Sequence, residues 1–168
     1  MAIYTAPLLT LPTAIQTLVL RVAGISFADR NTAWNVDWAR SFPHSALGYL
    51  FLLAWLVEIA VVEELLFRLV PLGLVVRLRR TSSALTVTAV VASIVYGYGH
   101  GLAAGVGPVA SFAYIWPRGA LGLVLSAVFL KCGGFKRHPL RGLGFSSLTH
   151  WLYDAAIFTM VFWGWRTL

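Results

Sequence analysis

Long apolar runs, separated by short basic or glycine-rich segments, make up most of this chain. The runs cover residues 8–25, 45–77, 84–100, 109–130 and 143–165. An α-helix needs about 20 largely apolar residues to cross a bilayer, and the runs are close to or above that length. The pattern therefore predicts an all-α integral membrane protein. We expect a polytopic bundle of about five to six transmembrane helices, formed by a single domain over residues 1–168.

The first apolar run is the least regular, because Pro12, Gln16 and Arg21 interrupt it. It suits a transmembrane span or a helix lying on the membrane surface. No basic start of a cleaved signal peptide precedes it, so we predict a retained helix. Residues 27–44 mix charged with aromatic side chains. This mixture predicts an interfacial loop or a short amphipathic helix at the level of the lipid headgroups.

Prolines and polar segments predict where the later helices bend or stop. Pro71 predicts a kink in the run 45–77, and Pro117 a kink or split in the run 109–130, because proline removes a helical hydrogen bond. Residues 101–108 form a predicted glycine-rich loop and residues 131–141 a basic one. Two predicted spans separate this basic loop from the arginines at 77–80. Both clusters therefore fall on the cytoplasmic side by the positive-inside rule.

Composition narrows the class of protein further. Of the 168 residues, 59% are hydrophobic and 11% are charged, with a mean hydropathy of +0.79, which excludes an ordinary soluble domain. The net charge of +7 lies in short loops beside apolar runs, so we assign it to topology and anionic lipid and predict no nucleic-acid binding. The lone Cys132 excludes an internal disulfide and a multi-cysteine metal site.

Adjacent glutamates, Glu63 and Glu64, lie inside the second apolar run together with Arg68. A charged residue at the centre of a span costs about 2.5–3.5 kcal/mol, so such residues usually face a protein interior and serve a function. Glu64 and Arg68 are four residues apart and can pair on one helical face. Glu63 points about 100° away from its neighbour and is left available as a base.

Two further polar sites occur within apolar runs: His100, and the pair His150 and Asp154 on one face of the last helix. Counting 1.5 Å per residue from the basic anchors puts these groups and Glu63 at depths of about 14 to 30 Å, so they can meet. Together they can activate a water molecule and stabilise an oxyanion. Taken singly, each has a structural alternative: a buried ion pair, an interfacial histidine or an interhelical hydrogen bond.

Three ordered motifs in this chain resemble those of the CPBP membrane proteases, which include CAAX prenyl endoproteases and bacteriocin-processing enzymes. The motifs are Glu63-Glu64-x-x-x-Arg68, Tyr96-x-x-x-His100 and His150-x-x-x-Asp154. The resemblance implies a glutamate-dependent intramembrane endopeptidase in a helical bundle. It implies Glu63 as the base on the attacking water, helped by His100. His150 and Asp154 would line the oxyanion site, while Glu64 and Arg68 would hold the geometry.

Two positions depart from the family pattern. Tyr96 replaces the usual phenylalanine, which we expect to be tolerated. Asp154 stands where the eukaryotic CAAX enzymes have asparagine; since a carboxylate repels an oxyanion, we expect Asp154 to orient His150 instead. The residues Glu63, His100, His150 and Asp154 are also a plausible metal-ligand set, but we favour a mechanism without a metal or other cofactor.

The resemblance also implies a membrane-anchored protein or peptide as the partner, in a multi-pass protein of the prokaryotic cytoplasmic membrane. The chain is short for a prenyl-protein protease. Substrates with a C-terminal sorting tail, in which a short transmembrane anchor is flanked by basic residues, are therefore a second option. The depths of the polar sites favour cleavage near the outer face. The sequence leaves the scissile bond and the oligomeric state open.

A cysteine-dependent enzyme is one alternative interpretation of the same sequence. Cys132 would be the nucleophile, with Arg118 or Arg141 and His150, as in exosortase-like transpeptidases.

Two more alternatives are a protease with a serine nucleophile and a protein that is not an enzyme. Ser146 or Ser147, close to His150 in sequence, would be the nucleophile of a serine protease. A non-catalytic immunity or transport protein would use the buried polar cluster to bind a proton, an ion or a bacteriocin.

Overall fold

The computed structural model describes residue 39 and residues 41–78, 81–105, 107–136 and 138–163. Regular structure in these ranges is helical, with no strand. In chain order it consists of α1 (Ala46–Glu64), a π-helical segment (Leu65–Leu69), α2 (Val70–Arg77), α3 (Ser82–Ala103), α4 (Pro108–Ser111), a 3₁₀ turn (Phe112–Tyr114), α5 (Ile115–Cys132), a second 3₁₀ turn (Gly134–Lys136) and α6 (Pro139–Phe162). The predicted helix at residues 8–25 and most of the interfacial segment 27–44 lie outside the described residues.

The first long helix starts at Ser45, whose hydroxyl accepts a hydrogen bond from the Gly48 amide at 3.1 Å. Its regular pattern changes at Leu65–Leu69, where the Val70 amide bonds back to the Leu65 carbonyl, five residues away. Pro71, which lacks an amide hydrogen, follows directly. The helix is therefore irregular through a π-helical turn between the glutamates and Pro71, and the kink predicted at Pro71 itself stays a prediction. Single turns of this kind are frequent at functional sites.

The next long helix, α3, extends further than the sequence predicts. Thr81 caps its first turn by accepting from the Ala84 amide at 3.3 Å, and the helix continues past His100 to Ala103. The predicted loop at 101–108 is therefore shorter, because residues 101–103 and Pro108 are helical. Gly105 and Gly107 have positive φ angles of 69° and 85°. Residues with a Cβ rarely adopt this backbone conformation.

A proline also shapes the fifth helix. The 3₁₀ turn Phe112–Tyr114 directly precedes α5, and Pro117 lies in the first turn of α5, where an amide hydrogen has no partner within the helix. The break predicted near Pro117 thus lies one turn earlier, because the proline ring displaces the carbonyl four residues before it.

The basic segment between the last two helices is shorter than predicted. Helix α5 ends at Cys132 and α6 already begins at Pro139, so Arg141 lies in a helix and not in a loop. Proline at a first helical position loses no hydrogen bond, which explains this early start. Helix α6 ends at Phe162, three residues before the predicted end.

Small residues let α3 approach both α5 and the short helix α4 closely. On α3 they are Ser93, Gly97 and Gly101, each four residues after the one before. A Cβ placed on Gly97 would lie 2.8 Å from the Cα of Ile115, and one on Gly101 would lie 2.6 Å from the Cα of Ser111. Close backbone contact of this kind is the usual way in which membrane helices associate.

We expect Gly97→Ala to destabilise the protein, because the added methyl group meets backbone atoms that cannot move aside. Overpacking of this kind costs about 1–3 kcal/mol. Gly99→Ala is the matched control, since a Cβ on Gly99 has no atom within 4 Å. Thermal unfolding in detergent measures the difference. If the two variants melt at the same temperature, the close approach of α3 and α5 is wrong.

Two helical segments in the described part of the chain are long and apolar enough to cross a membrane, Ser82–Ala103 and Pro108–Cys132. Large apolar side chains such as Phe51, Trp55 and Val87 are exposed on the outside of the bundle. Exposed apolar surface of this extent is typical of lipid contact. The predicted total of five to six spans remains a prediction.

Candidate active site

The polar residues singled out in the sequence lie together inside the bundle. Glu63 and Glu64 end α1, Arg68 lies in the π-helical segment, His100 is in the last turn of α3, and His150 and Asp154 are near the middle of α6. A cluster of buried side chains lies beside them, formed by Tyr96, Leu121, Leu125 and Tyr153.

The innermost part of the site is a row of three charged or polar side chains. Nη1 of Arg68 lies 3.1 Å from Oε1 of Glu64, and the same oxygen lies 3.1 Å from Nδ1 of His150. All three side chains are at most 2% exposed. Because Glu64 is an acceptor, Nδ1 of His150 donates to it, which fixes the tautomer and the orientation of the ring.

Glu63 differs from its neighbour in being 24% exposed. Its Oε1 lies 3.8 Å from Nε2 of His100, and its Oε2 lies 3.6 Å from Nε2 of His150. These distances exceed those of direct hydrogen bonds, and they suit groups that share a water molecule. The two adjacent glutamates therefore have different surroundings: one is sealed in an ion pair, and the other faces two imidazoles with access to solvent.

His100 is held by the backbone of its own helix. Its Nδ1 lies 3.0 Å from the carbonyl oxygen of Tyr96, and since a carbonyl only accepts, Nδ1 carries the proton. In the neutral ring, Nε2 then presents a lone pair towards Glu63. The His100 side chain is 25% exposed, so this face of the site can be reached by water.

Asp154 lies on the reactive side of His150. Its Oδ2 is 3.4 Å from Nε2 of His150, the nitrogen that also faces Glu63. From the sequence, Asp154 is expected to orient His150, and this role stays a prediction: Asp154 contacts Nε2 of the ring, while Glu64 binds Nδ1. Two carboxylates around one nitrogen favour a proton on it, so His150 is suited to be a doubly protonated donor.

Two residues near the site have no role in the glutamate mechanism that the sequence predicts. The hydroxyl of Tyr96 lies 3.3 Å from Nε2 of His150, although the sequence alone suggests no more than a tolerated exchange for phenylalanine. The half-buried guanidinium of Arg118 interacts electrostatically with Glu63, Tyr96 and Asp154. The sequence could have indicated Arg118, because an ionisable residue within an apolar run is by itself a candidate functional residue.

Cys132 lies far along α5 from Arg118, and neither serine hydroxyl bonds to His150 within the described residues. Cys132 ends α5 while Arg118 lies in its first turn, about 21 Å away at 1.5 Å per residue. Ser146 donates its hydroxyl to the Leu143 carbonyl at 3.1 Å. The buried Ser147 hydroxyl has no hydrogen-bond partner within the described ranges, His150 included.

The side chains that the sequence suggests as metal ligands face one another in the site. Within residues 41–78, 81–105, 107–136 and 138–163, no group of three or more histidine, cysteine, aspartate or glutamate side chains is arranged to hold a metal ion. The acidic and imidazole groups instead contact one another.

Comparison with known proteins shows a match between this chain and one protein family. No curated protein and no solved structure matches the chain. The sequence profile of the family described as type II CAAX prenyl endopeptidase Rce1-like matches residues 45–156, about two-thirds of the chain. This stretch contains all three motifs and every residue of the site described above. The chain therefore belongs to the Rce1-like family of type II CAAX prenyl endopeptidases.

Proposed function

We propose that this protein is an intramembrane endopeptidase in which Glu63 activates a water molecule. The proposal rests on one observation above the others: the Glu63 carboxylate faces Nε2 of both His100 and His150, at 3.8 and 3.6 Å, and is still partly exposed. Family membership supports the same reaction class. Hydrolysis of a peptide bond near the C-terminus or membrane anchor of a substrate protein is the function that follows.

In the first step, a water molecule between Glu63 and His100 donates one hydrogen bond to each of them. Glu63 takes a proton as the water oxygen attacks the carbonyl carbon of the scissile bond. The carbonyl oxygen becomes an oxyanion, which Nε2–H of His150 stabilises by donating to it. Protonated Glu63 then gives its proton to the nitrogen of the leaving amine, and the C–N bond breaks.

Glu64 and Arg68 have a supporting role in this proposal. Glu64 holds Nδ1 of His150, and Arg68 balances the charge of Glu64. A histidine fixed in this way loses little entropy when it binds an oxyanion, because it is oriented before the substrate arrives. Asp154 balances the positive charge of His150 from the other side.

The substrate that we propose is a protein whose scissile bond lies at the membrane, close to its C-terminus. Two kinds fit: a prenylated CAAX end, as the family description names, and a short transmembrane anchor flanked by basic residues. We place the enzyme in the prokaryotic cytoplasmic membrane, with the lipid bilayer as its surroundings and no nucleic acid as a partner.

Cleavage of both kinds of substrate by purified protein in lipid vesicles tests this function. The probes are a farnesylated peptide ending in a CAAX sequence and an anchored protein with a basic tail. We expect Cys132→Ala to cleave at the wild-type rate, because Cys132 is at the far end of α5 from the site. Loss of cleavage in Cys132→Ala, in protein that melts like wild type, would instead favour the cysteine-dependent mechanism.

A further inference from the structure

Tyr96 contacts both histidines of the site through different atoms. Its carbonyl accepts from Nδ1 of His100 at 3.0 Å, and its hydroxyl lies 3.3 Å from Nε2 of His150. The residue is completely buried. A buried phenol without a hydrogen-bond partner costs free energy, so this hydroxyl depends on the polar groups around His150.

The ring of Tyr96 is held on several sides, so its hydroxyl has a fixed direction. The Arg68 guanidinium lies 4.5 Å above the ring centre. The Phe67 ring packs edge-on at 5.1 Å, and the His100 ring lies at 4.4 Å. The attraction between this cation and the face of the ring also helps to hold the ring in place.

The chemistry of the groups around Nε2 of His150 decides what this hydroxyl can do. Asp154 and Glu63 each offer a carboxylate oxygen, at 3.4 and 3.6 Å, and ionised carboxylates only accept. The Tyr96 oxygen can accept from Nε2–H and still donate its own proton. It is therefore a second donor beside His150, at a place where two negative charges would otherwise oppose an oxyanion.

We propose that the Tyr96 hydroxyl donates a hydrogen bond to the oxyanion, next to Nε2–H of His150. This inference rests on the proposed hydrolysis and names a further catalytic residue for it. The hydroxyl keeps its own proton throughout, while the proton of the attacking water passes through Glu63 to the leaving amine.

Tyr96→Phe tests the inference, with Tyr98→Phe as the control on the same helix. Tyr98 is half-buried and its ring contacts Phe112. Removing one oxyanion donor typically lowers kcat about 10²- to 10³-fold. We expect a fall in kcat of about 10²-fold for Tyr96→Phe on the cleaved probe, with KM within about twofold of wild type. Tyr98→Phe should keep the wild-type values.

Several results would overturn the inference. A kcat of Tyr96→Phe within about threefold of wild type, or a rise in KM at constant kcat, removes the oxyanion role. Glu63→Gln distinguishes this failure from failure of the proposed function. If Glu63→Gln is inactive while Tyr96→Phe is active, only the Tyr96 role is wrong; if Glu63→Gln cleaves normally, the hydrolytic mechanism itself is wrong.

Two further measurements test the inference even if Tyr96→Phe folds poorly or the probe is not cleaved. Fluorinated tyrosine at position 96 keeps the shape of the side chain but changes the strength of the phenol as a hydrogen-bond donor, so we expect it to change kcat; an unchanged kcat contradicts the role. Nitrogen NMR of histidine-labelled protein reports the contact without substrate. We expect the His150 signal to shift in Tyr96→Phe, and an unchanged signal shows that the contact is absent.

Discussion

Glu63→Gln should abolish peptide cleavage, with a loss of about 10³-fold or more in kcat. General-base catalysis alone contributes about 10²- to 10⁴-fold, and glutamine keeps the shape of the side chain but cannot take a proton at neutral pH. Glu63 is partly exposed, and glutamine there creates no buried unpaired charge. We therefore expect the variant to melt like wild type in detergent, so that the loss is one of chemistry.

The matched control for this prediction is Glu58→Gln. Glu58 lies on the same helix as Glu63 and is exposed. Initial rates of cleavage of one probe by wild type and the two variants give the comparison. A Glu63→Gln enzyme with more than about a tenth of the wild-type rate would contradict the role of Glu63 as the base. Such activity would favour the cysteine- or serine-dependent alternative.

Arg68→Met should destabilise the fold more than any of the other substitutions. Arg68 and Glu64 are 1% and 0% exposed, and the ion pair between them is closed to water. Removing one partner of a buried ion pair typically costs about 3–5 kcal/mol, because the other charge stays buried without its partner. Unfolding by denaturing detergent, followed by circular dichroism, measures the loss.

A double variant separates the charge effect from lost packing. Glu64→Gln together with Arg68→Met removes both charges, and glutamine can still accept from Nδ1 of His150. We expect the double variant to regain more than half of the lost stability. Arg141→Met is the control, since Arg141 is exposed and contacts the Phe145 ring at 5.8 Å. A single Arg68→Met variant as stable as this control would show that the pair does not stabilise the fold.

From the sequence, the set of polar residues that lie close together was predicted accurately. The atoms through which they contact one another were not. The i,i+4 spacing of Glu64 and Arg68 predicted their ion pair, and it is present at 3.1 Å. Depths counted along the helices predicted that His100 and His150 reach Glu63, which they do. Such depths say nothing about rotation of each helix about its axis. The sequence therefore could not tell that Glu64 takes Nδ1 of His150 while Asp154 faces Nε2.

The predicted helix boundaries differ most from the structure near glycines and prolines. Glycines at 101 and 105 suggested an early end to α3, yet Gly101 lies within the helix, where its missing Cβ lets Ser111 approach closely. Proline at 139 starts α6 within a segment that its basic residues assigned to a loop. The Tyr96 hydroxyl was missed for a different reason: a buried tyrosine looks like a packing residue until its partner on another helix is known.

The central claim is that water, activated by Glu63, is the nucleophile. Cleavage of the probe in water labelled with heavy oxygen tests this most directly, with mass spectrometry of both the product and the enzyme during turnover. We predict one heavy oxygen atom in the new carboxyl group of the product and no substrate fragment attached to the enzyme. An adduct on Cys132 or on a serine, or a product without the label, would contradict the account.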